Sequence, residues 1–134
     1  MSEQTSSGVM AGKRGLIMGV ANDRSIGWGI ASKLAEHGAE LAFTFQGEAL
    51  QKRVIPLAES VGSNLVLPCD VTDEASVDAV FDRLKSEWGE LDFVLHAIAY
   101  SDKEELKGGY VDTSRDNFQR TMDISVYCFT EITR

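Results

Sequence analysis

The sequence predicts an α/β fold, a doubly wound parallel sheet with helices on both faces, in the order β-α-β-α-β-α-β-α. Two kinds of segment carry that prediction. Short runs that are almost wholly apolar, without polar alternation, read as strands buried on both faces. Between them, apolar residues recur at helical spacing. The regular alternation of the two implies parallel strands joined by right-handed crossovers.

The first strand is Gly15-Leu16-Ile17-Met18-Gly19-Val20. Ile30, Ala31, Leu34 and Ala35 then follow at helical spacing, and Gly38 stands where a left-handed cap would end the helix. Glu40 to Gln46 reads as the second strand. Leu50, Val54, Leu57 and Val61 mark a second helix, and Pro56 inside it predicts a broken or short helix. Asn64 to Cys69 is a third strand, and Pro68, which cannot donate to a ladder, suits a sheet edge. Thr72 or Asp73 can cap a third helix, which presents Val77, Val80, Phe81, Leu84 and Trp88 on one face and closes at Gly89. Leu91 to Ile98 is a fourth strand, apolar enough to be central in a sheet. Ala99 to Ser114 reads as a polar loop. A last helix starts near Ser114, with Phe118, Met122, Val126 and Phe129 as its apolar stripe.

The chain has 134 residues, an ordinary length for one domain. Lys and Arg number 13 against 21 Asp and Glu, a net charge of −8. That balance argues against nucleic acid or an anionic membrane as the main partner. Cys69 and Cys128 cannot make a disulfide framework and read as reduced thiols of a cytoplasmic protein. No run approaches the roughly 18 apolar residues of a membrane span. Residues 1–12 lack an apolar signal core and read as a disordered polar tail. Residues 13–134 then read as part of a single domain.

Ligands of open α/β sheets bind at the carboxyl ends of the strands. The first strand ends in Gly19-Val20-Ala21-Asn22-Asp23-Arg24-Ser25-Ile26-Gly27-Trp28-Gly29. Its glycines allow a sharp turn and close approach to a ligand. The helix that follows offers free N–H groups and the positive end of its dipole to a phosphate, and Ser25 can add its hydroxyl. Glycine in a βα turn often serves geometry alone, but the place of this turn, between first strand and first helix, points to a Rossmann-type dinucleotide site. The pattern departs from G-x-G-x-x-G, with five residues between Gly19 and Ser25 and one more before Gly27.

Gln46 ends the second strand, where NAD sites usually carry an acidic residue and NADP sites a nearby Arg. Gln46 can bond a ribose or adenine, or be an exposed strand-end amide. No Lys or Arg follows before Lys52 and Arg53, which favours NADH over NADPH. Asp70, beside the Val71 backbone, can accept from an adenine amino group, or belong with Asp73 to a capping cluster. Asp73 is the expected cap, which would leave Asp70 free. Ala97 and Ala99, small residues at the end of the fourth strand, leave room for a ring or ribose. His96 reads as a structural histidine. Other chemistry is not signalled. Gly8 to Lys13 is one residue short of a P-loop, has Arg14 for Ser or Thr, and precedes a strand. Neither histidine has metal-ligand spacing to a Cys or carboxylate, so no metal is expected. No G-x-S-x-G elbow occurs, and the aromatics sit in strands and on helix faces.

The turn from Gly19 to Ala31 resembles the cofactor loop of bacterial enoyl-acyl carrier protein reductases, which are divergent short-chain dehydrogenases/reductases. Leu41 to Gly47, Leu67 to Val71, Asp92 to Ala99 and Asp123 to Tyr127 are similar to further segments of that family, in order and at the right spacing. The resemblance covers nearly everything after Gly12. It implies an NADH site with Gly19, Ala21, Ser25 and Ile26 around the pyrophosphate and its ribose, and Gln46 near the adenosine end. It further implies Asp70 and Val71 at adenine, Ile98 along the cofactor, and Tyr100 and Ser101 near the nicotinamide and acyl pocket. Gly27 stands for a common Ala, and Ala99 for a usual Gly beside the nicotinamide.

The implied reaction is hydride transfer from NADH to the β-carbon of a trans-2-enoyl thioester in type II fatty acid synthesis. The enolate is stabilised by a Tyr and by a Lys that also holds cofactor. Those two residues follow a fifth strand and are expected beyond residue 134, because Tyr100, Tyr110 and Tyr127 lack the family's spacing to a lysine. On this reading the sequence is the N-terminal half of the reductase, apparently truncated. The implied partners are enoyl-acyl carrier protein as substrate and further copies of the chain in a homotetramer. Two other readings stay open: a short-chain dehydrogenase/reductase acting on ketones or alcohols, and a non-catalytic NAD-binding module.

Overall fold

The structure is a computed structural model, and it describes residues 8–134. Four parallel strands lie in the order β3-β2-β1-β4. They are β1 (Arg14–Met18), β2 (Glu40–Phe45), β3 (Val66–Pro68) and β4 (Phe93–His96). The helices between them are α1 (Ile26–Glu36), α2 (Glu48–Ser60) and α3 (Glu74–Trp88). After β4, two short 3₁₀ turns at Lys103–Leu106 and Tyr110–Asp112 interrupt the expected loop. The chain ends in one long helical run: α4 (Arg115–Met122), a π-helical stretch (Asp123–Tyr127) and α5 (Cys128–Thr133).

The two-residue period of β1 and β2 feeds two separate cores. Ile17, Leu41 and Phe43 point to one face, where they meet Ala31 of α1 and Val54 and Ala58 of α2. Leu16, Met18 and Ala42 point to the other, where they meet Val77, Val80 and Leu84 of α3 and Cys128 and Ile132 of α5. Both faces are covered, which is why these strands carry no polar alternation.

Helix ends follow local chemistry. Gly38, at φ 101°, takes the left-handed position after α1, and the N–H groups of Gly38 and Ala39 donate to the carbonyls of Ala35 and Leu34. Asp73, not Thr72, caps α3, its carboxylate accepting from the Ala75 N–H at 3.1 Å.

Several expectations are corrected. Pro56 does not break α2, which runs unbroken over 13 residues. Pro56 is exposed, so the Lys52 carbonyl that it leaves unbonded faces water. Of the tail expected at 1–12, residues 1–7 lie outside the described residues. Residues 8–12 form a turn held by the Met10 N–H on the His37 carbonyl at 2.9 Å, with Met10 packed on the α1–α2 core. β4, as apolar as a central strand, is the edge strand of the described sheet and is half-buried. A groove of about 800 Å³ opens beside its amino end, between α3 and α5.

The stripe Phe118, Met122, Val126 and Phe129 does not face inward; all four are exposed. The inward face of the last helical run is Asn117, Thr121, Ser125, Cys128 and Ile132. Polar groups occupy its first half because the loop above them presents backbone that must be hydrogen-bonded. The Asp102 N–H donates to Asn117 Oδ1 at 2.8 Å, and the Tyr100 N–H donates to Ser125 Oγ at 2.9 Å.

Candidate functional site

A cleft of about 390 Å³ lies across the carboxyl ends of the four strands. From β1 the chain runs to β2 and β3 on one side, whereas β4 lies on the other. The cleft therefore sits at the point where strand order reverses, the usual ligand crevice of a doubly wound sheet. Gly19, Val20 and Ala21 follow β1; Thr44, Phe45 and Gln46 end β2; Cys69 to Thr72 follow β3; and Ala97 to Tyr100 follow β4. Leu50, Arg120 and Ile124 close it from the helices.

Gly19 makes the close packing of this cleft possible. Its φ is 101°, and a Cβ there would collide with the carbonyl oxygen of Ala97. The Ala97 N–H also donates to the Met18 carbonyl at 2.9 Å, so β1 and β4 leave the sheet in contact. Gly27 is less constrained, since a Cβ there would lie 3.3 Å from the Ala97 Cβ. Ala in that position is nearly accommodated.

Ser25 and Ile26 do not line the cleft. Ser25 is the residue before α1, and its Oγ accepts from the N–H groups of Ala21 at 3.0 Å and Asn22 at 3.1 Å. It braces the turn, and its own hydroxyl proton stays available to an acceptor. Ile26 is 82% exposed on the outer side of α1, beside Val9 and Met10.

Gln46 and Asp70 sit on neighbouring strand ends of the same cleft. Asp70 is not wholly free. Its Oδ1 accepts from the Thr72 N–H at 2.9 Å and the Thr72 hydroxyl at 2.6 Å. These bonds fix the carboxylate and leave Oδ2 as an oriented acceptor. Beside it, burial pushes the Cys69 thiol up to about 11, so Cys69 is no nucleophile.

Tyr100 lines the cleft, whereas Ser101 turns toward α4. The hydroxyl of Ser125 donates to the Tyr100 carbonyl at 3.1 Å. Ser101 Oγ takes hydrogen bonds from Asn117 Nδ2 and Thr121 Oγ1, each at 3.2 Å. Asn117, Thr121 and Ser125 thus hold residues 100–102 in place, a role not read from the sequence. Arg120, Ile124, Thr44, Leu50 and Thr72 were also missed as lining residues. The polar spacing of 117, 121 and 125 on one helix face was the available signal.

His96 is structural, as its setting predicted. Its Nε2 lies 2.7 Å from Cys128 Sγ, and the Cys128 thiol donates to the Ile124 carbonyl at 2.8 Å. The Nε2–H of a neutral imidazole is the matching donor to the sulfur. Burial lowers the His96 pKa below its ordinary 6.5. The unfolded chain therefore binds more protons in the window below 6.5. Stability is expected to be full above that pH and to fall as pH drops toward the lowered native value. Urea midpoints from pH 8 to 5 check this; a His96→Gln variant should lose that part of the slope.

Among the described residues no cluster of three His, Cys, Asp or Glu could hold a metal, and no helix is long and apolar enough to cross a membrane.

The topology and the cleft define a Rossmann-type α/β chain. The sequence profile of the family described as "Enoyl-(Acyl carrier protein) reductase" matches residues 19–134. This chain belongs to that family. It is 65% identical over 127 residues to the enoyl-[acyl-carrier-protein] reductase [NADH] 1 of Rhizobium meliloti, covering 95% of this chain and 47% of that protein. The crystal structure of FabI from Candidatus Liberibacter asiaticus superposes with a TM-score of 0.93 at 57% identity, over 95% of this chain and 49% of that one. An enoyl-(acyl-carrier-protein) reductase from Anaplasma phagocytophilum, solved in complex with NAD, superposes with a TM-score of 0.89 at 58% identity, over 92% and 47%. The chain spans about half the length of these relatives.

Proposed function

We propose that this chain is the NADH-binding part of an enoyl-acyl carrier protein reductase, which reduces the trans-2 double bond of enoyl thioesters in type II fatty acid synthesis. The observation that carries the proposal is the cleft at the strand-order reversal, where Gly19 lets β1 and β4 meet. Gln46, Asp70, Thr72 and Arg120 offer hydrogen-bonding groups along it. Bound NADH would supply the hydride.

The residues of this chain bind and orient. The start of α1 after the Gly19–Ser25 turn offers the Ile26 backbone N–H and the Ser25 hydroxyl proton to the pyrophosphate, with Ala21 beside it and the Ile26 side chain facing outward. Gln46 bonds the adenosine ribose. The free oxygen of Asp70 accepts from the adenine amino group, with the Val71 backbone beside it. Ile98 forms an apolar wall, and Tyr100 and Ser101 flank the nicotinamide and acyl side. No residue of this chain is assigned the proton-donating role. A Tyr and a Lys beyond residue 134 are proposed for it.

Acyl carrier protein is the proposed carrier of the substrate. A homotetramer is supported by the outward apolar stripe Phe118, Met122, Val126 and Phe129. Two buried free cysteines agree with a cytoplasmic setting.

The test is loss of NADH absorbance with a trans-2-enoyl thioester, using the full chain that the gene encodes, its mass measured. Turnover is expected. Turnover only with ketones or alcohols would move the protein to the other branch of short-chain dehydrogenases. NADH binding without turnover on any of these would leave a non-catalytic module.

Asp70→Asn is expected to weaken NADH about tenfold, because an amide N–H then faces the adenine amino group. Fluorescence titration of NADH checks this. NADH affinity equal to wild type would remove Asp70 from the adenine site.

A further inference from the structure

We infer that Arg120 is a cofactor-binding residue whose guanidinium takes the anionic pyrophosphate of the dinucleotide, opposite the Gly19 turn; this rests on the NADH reading of the cleft. Arg120 lies on α4, one turn before Ile124, and lines the cleft together with Gly19, Ala21 and Tyr100. Its guanidinium carbon is 5.0 Å from the centroid of the Tyr100 ring. The backbone that carries this ring is held by Ser125, which bonds both the N–H and the carbonyl of Tyr100. A cation over a ring face is oriented without being neutralised.

The charge is also uncommitted. The ion pairs among the described residues are Arg14–Glu40, Lys33–Glu36 and Arg83–Glu87. Arg120 joins none of them, although Asp116 and Asp123 stand one helical turn to either side. Among the described residues that line the cleft, Arg120 is the one cation and Asp70 the one carboxylate. In a chain of net charge −8, a dianionic ligand meets an unfavourable field unless the cleft supplies positive potential locally. Arg120 is the lining side chain that can supply it. A guanidinium suits this task, since it keeps its charge and pairs phosphate oxygens two at a time.

The experiment titrates NADH, NADPH, ADP-ribose and adenosine against the full chain, as wild type, Arg120→Gln and Arg120→Lys. Arg120→Gln keeps much of the stem and removes the charge. It should weaken both NADH and ADP-ribose about tenfold, leave adenosine within twofold, and flatten the salt dependence of binding. Arg120→Lys should recover part of the loss. Equal NADH affinity in wild type and Arg120→Gln would overturn the inference. So would a loss confined to NADPH, which would put the guanidinium at a 2′-phosphate, or an equal loss with adenosine, which would mark a role in shaping the cleft. If the wild type itself binds none of the four, the NADH reading falls, and this inference falls with it.

Discussion

Gly19→Ala is expected to abolish measurable NADH binding and to cost about 3 kcal/mol of stability or more. Two penalties add at this residue. A non-glycine residue at φ 101° is strained, and the new methyl collides with the Ala97 carbonyl oxygen. That carbonyl is backbone at the exit of β4, so it cannot move aside as a flexible side chain would. Relief requires β1 and β4 to separate at their carboxyl ends, where the pyrophosphate is proposed to rest. Urea midpoints and NADH titration measure the two effects. Gly27→Ala is the control, because its Cβ would meet the Ala97 and Val20 side chains at 3.3 and 3.5 Å and the Gly19 carbonyl oxygen at an ordinary 3.8 Å. It should change stability by less than about 1 kcal/mol. Undiminished NADH binding by Gly19→Ala would show that the ligand does not depend on this approach.

Phe43→Ala should destabilise the fold by about 3–5 kcal/mol without altering the cleft directly. Phe43 is fully buried in β2, paired in register with Ile17 on one side and Val66 on the other. Its ring meets Trp28 of α1, with centroids 6.1 Å apart. Truncation leaves a hole between the sheet and the α1–α2 layer that these neighbours fill only in part. The urea midpoint should fall, and Trp28 emission should shift to longer wavelength. Where the variant is still folded, NADH affinity should stay near wild type, because the side chain points away from the cleft. Loss of affinity with no loss of stability would contradict this division of labour.

Strand and helix order was legible because the apolar runs are short, dense and separated by residues with turn or cap chemistry. Gly38, Asp73 and Pro68 each marked a boundary or an edge that the structure contains. The orientation of the last helical run was less legible. Its apolar stripe, Phe118, Met122, Val126 and Phe129, is exposed. Asn117, Thr121 and Ser125 take the inward face, since Asn117 and Ser125 accept from the N–H groups of Asp102 and Tyr100 and Thr121 bonds the Ser101 hydroxyl. The strand-end positions Gly19, Gln46 and Asp70 were legible because a parallel sheet gathers the residues after its strands. Arg120 was not, because its role depends on a helix that reaches the cleft from far along the chain.

The strand order also has a consequence for how the chain folds. Gly15 pairs with Leu41, 26 residues on, and with Phe93, 78 residues on. Closing the longer loop costs about 1 kcal/mol more in chain entropy than the shorter. The β1–β2–β3 side can therefore zip up first, and β4 arrives as the late step. The seam that closes last is also the one under the proposed pyrophosphate. A dinucleotide present during refolding would act on the final docking of β4 and slow its release, with less influence on the earlier strands. Hydrogen exchange during refolding should show amides of β1 paired to β2 protected before those of β4.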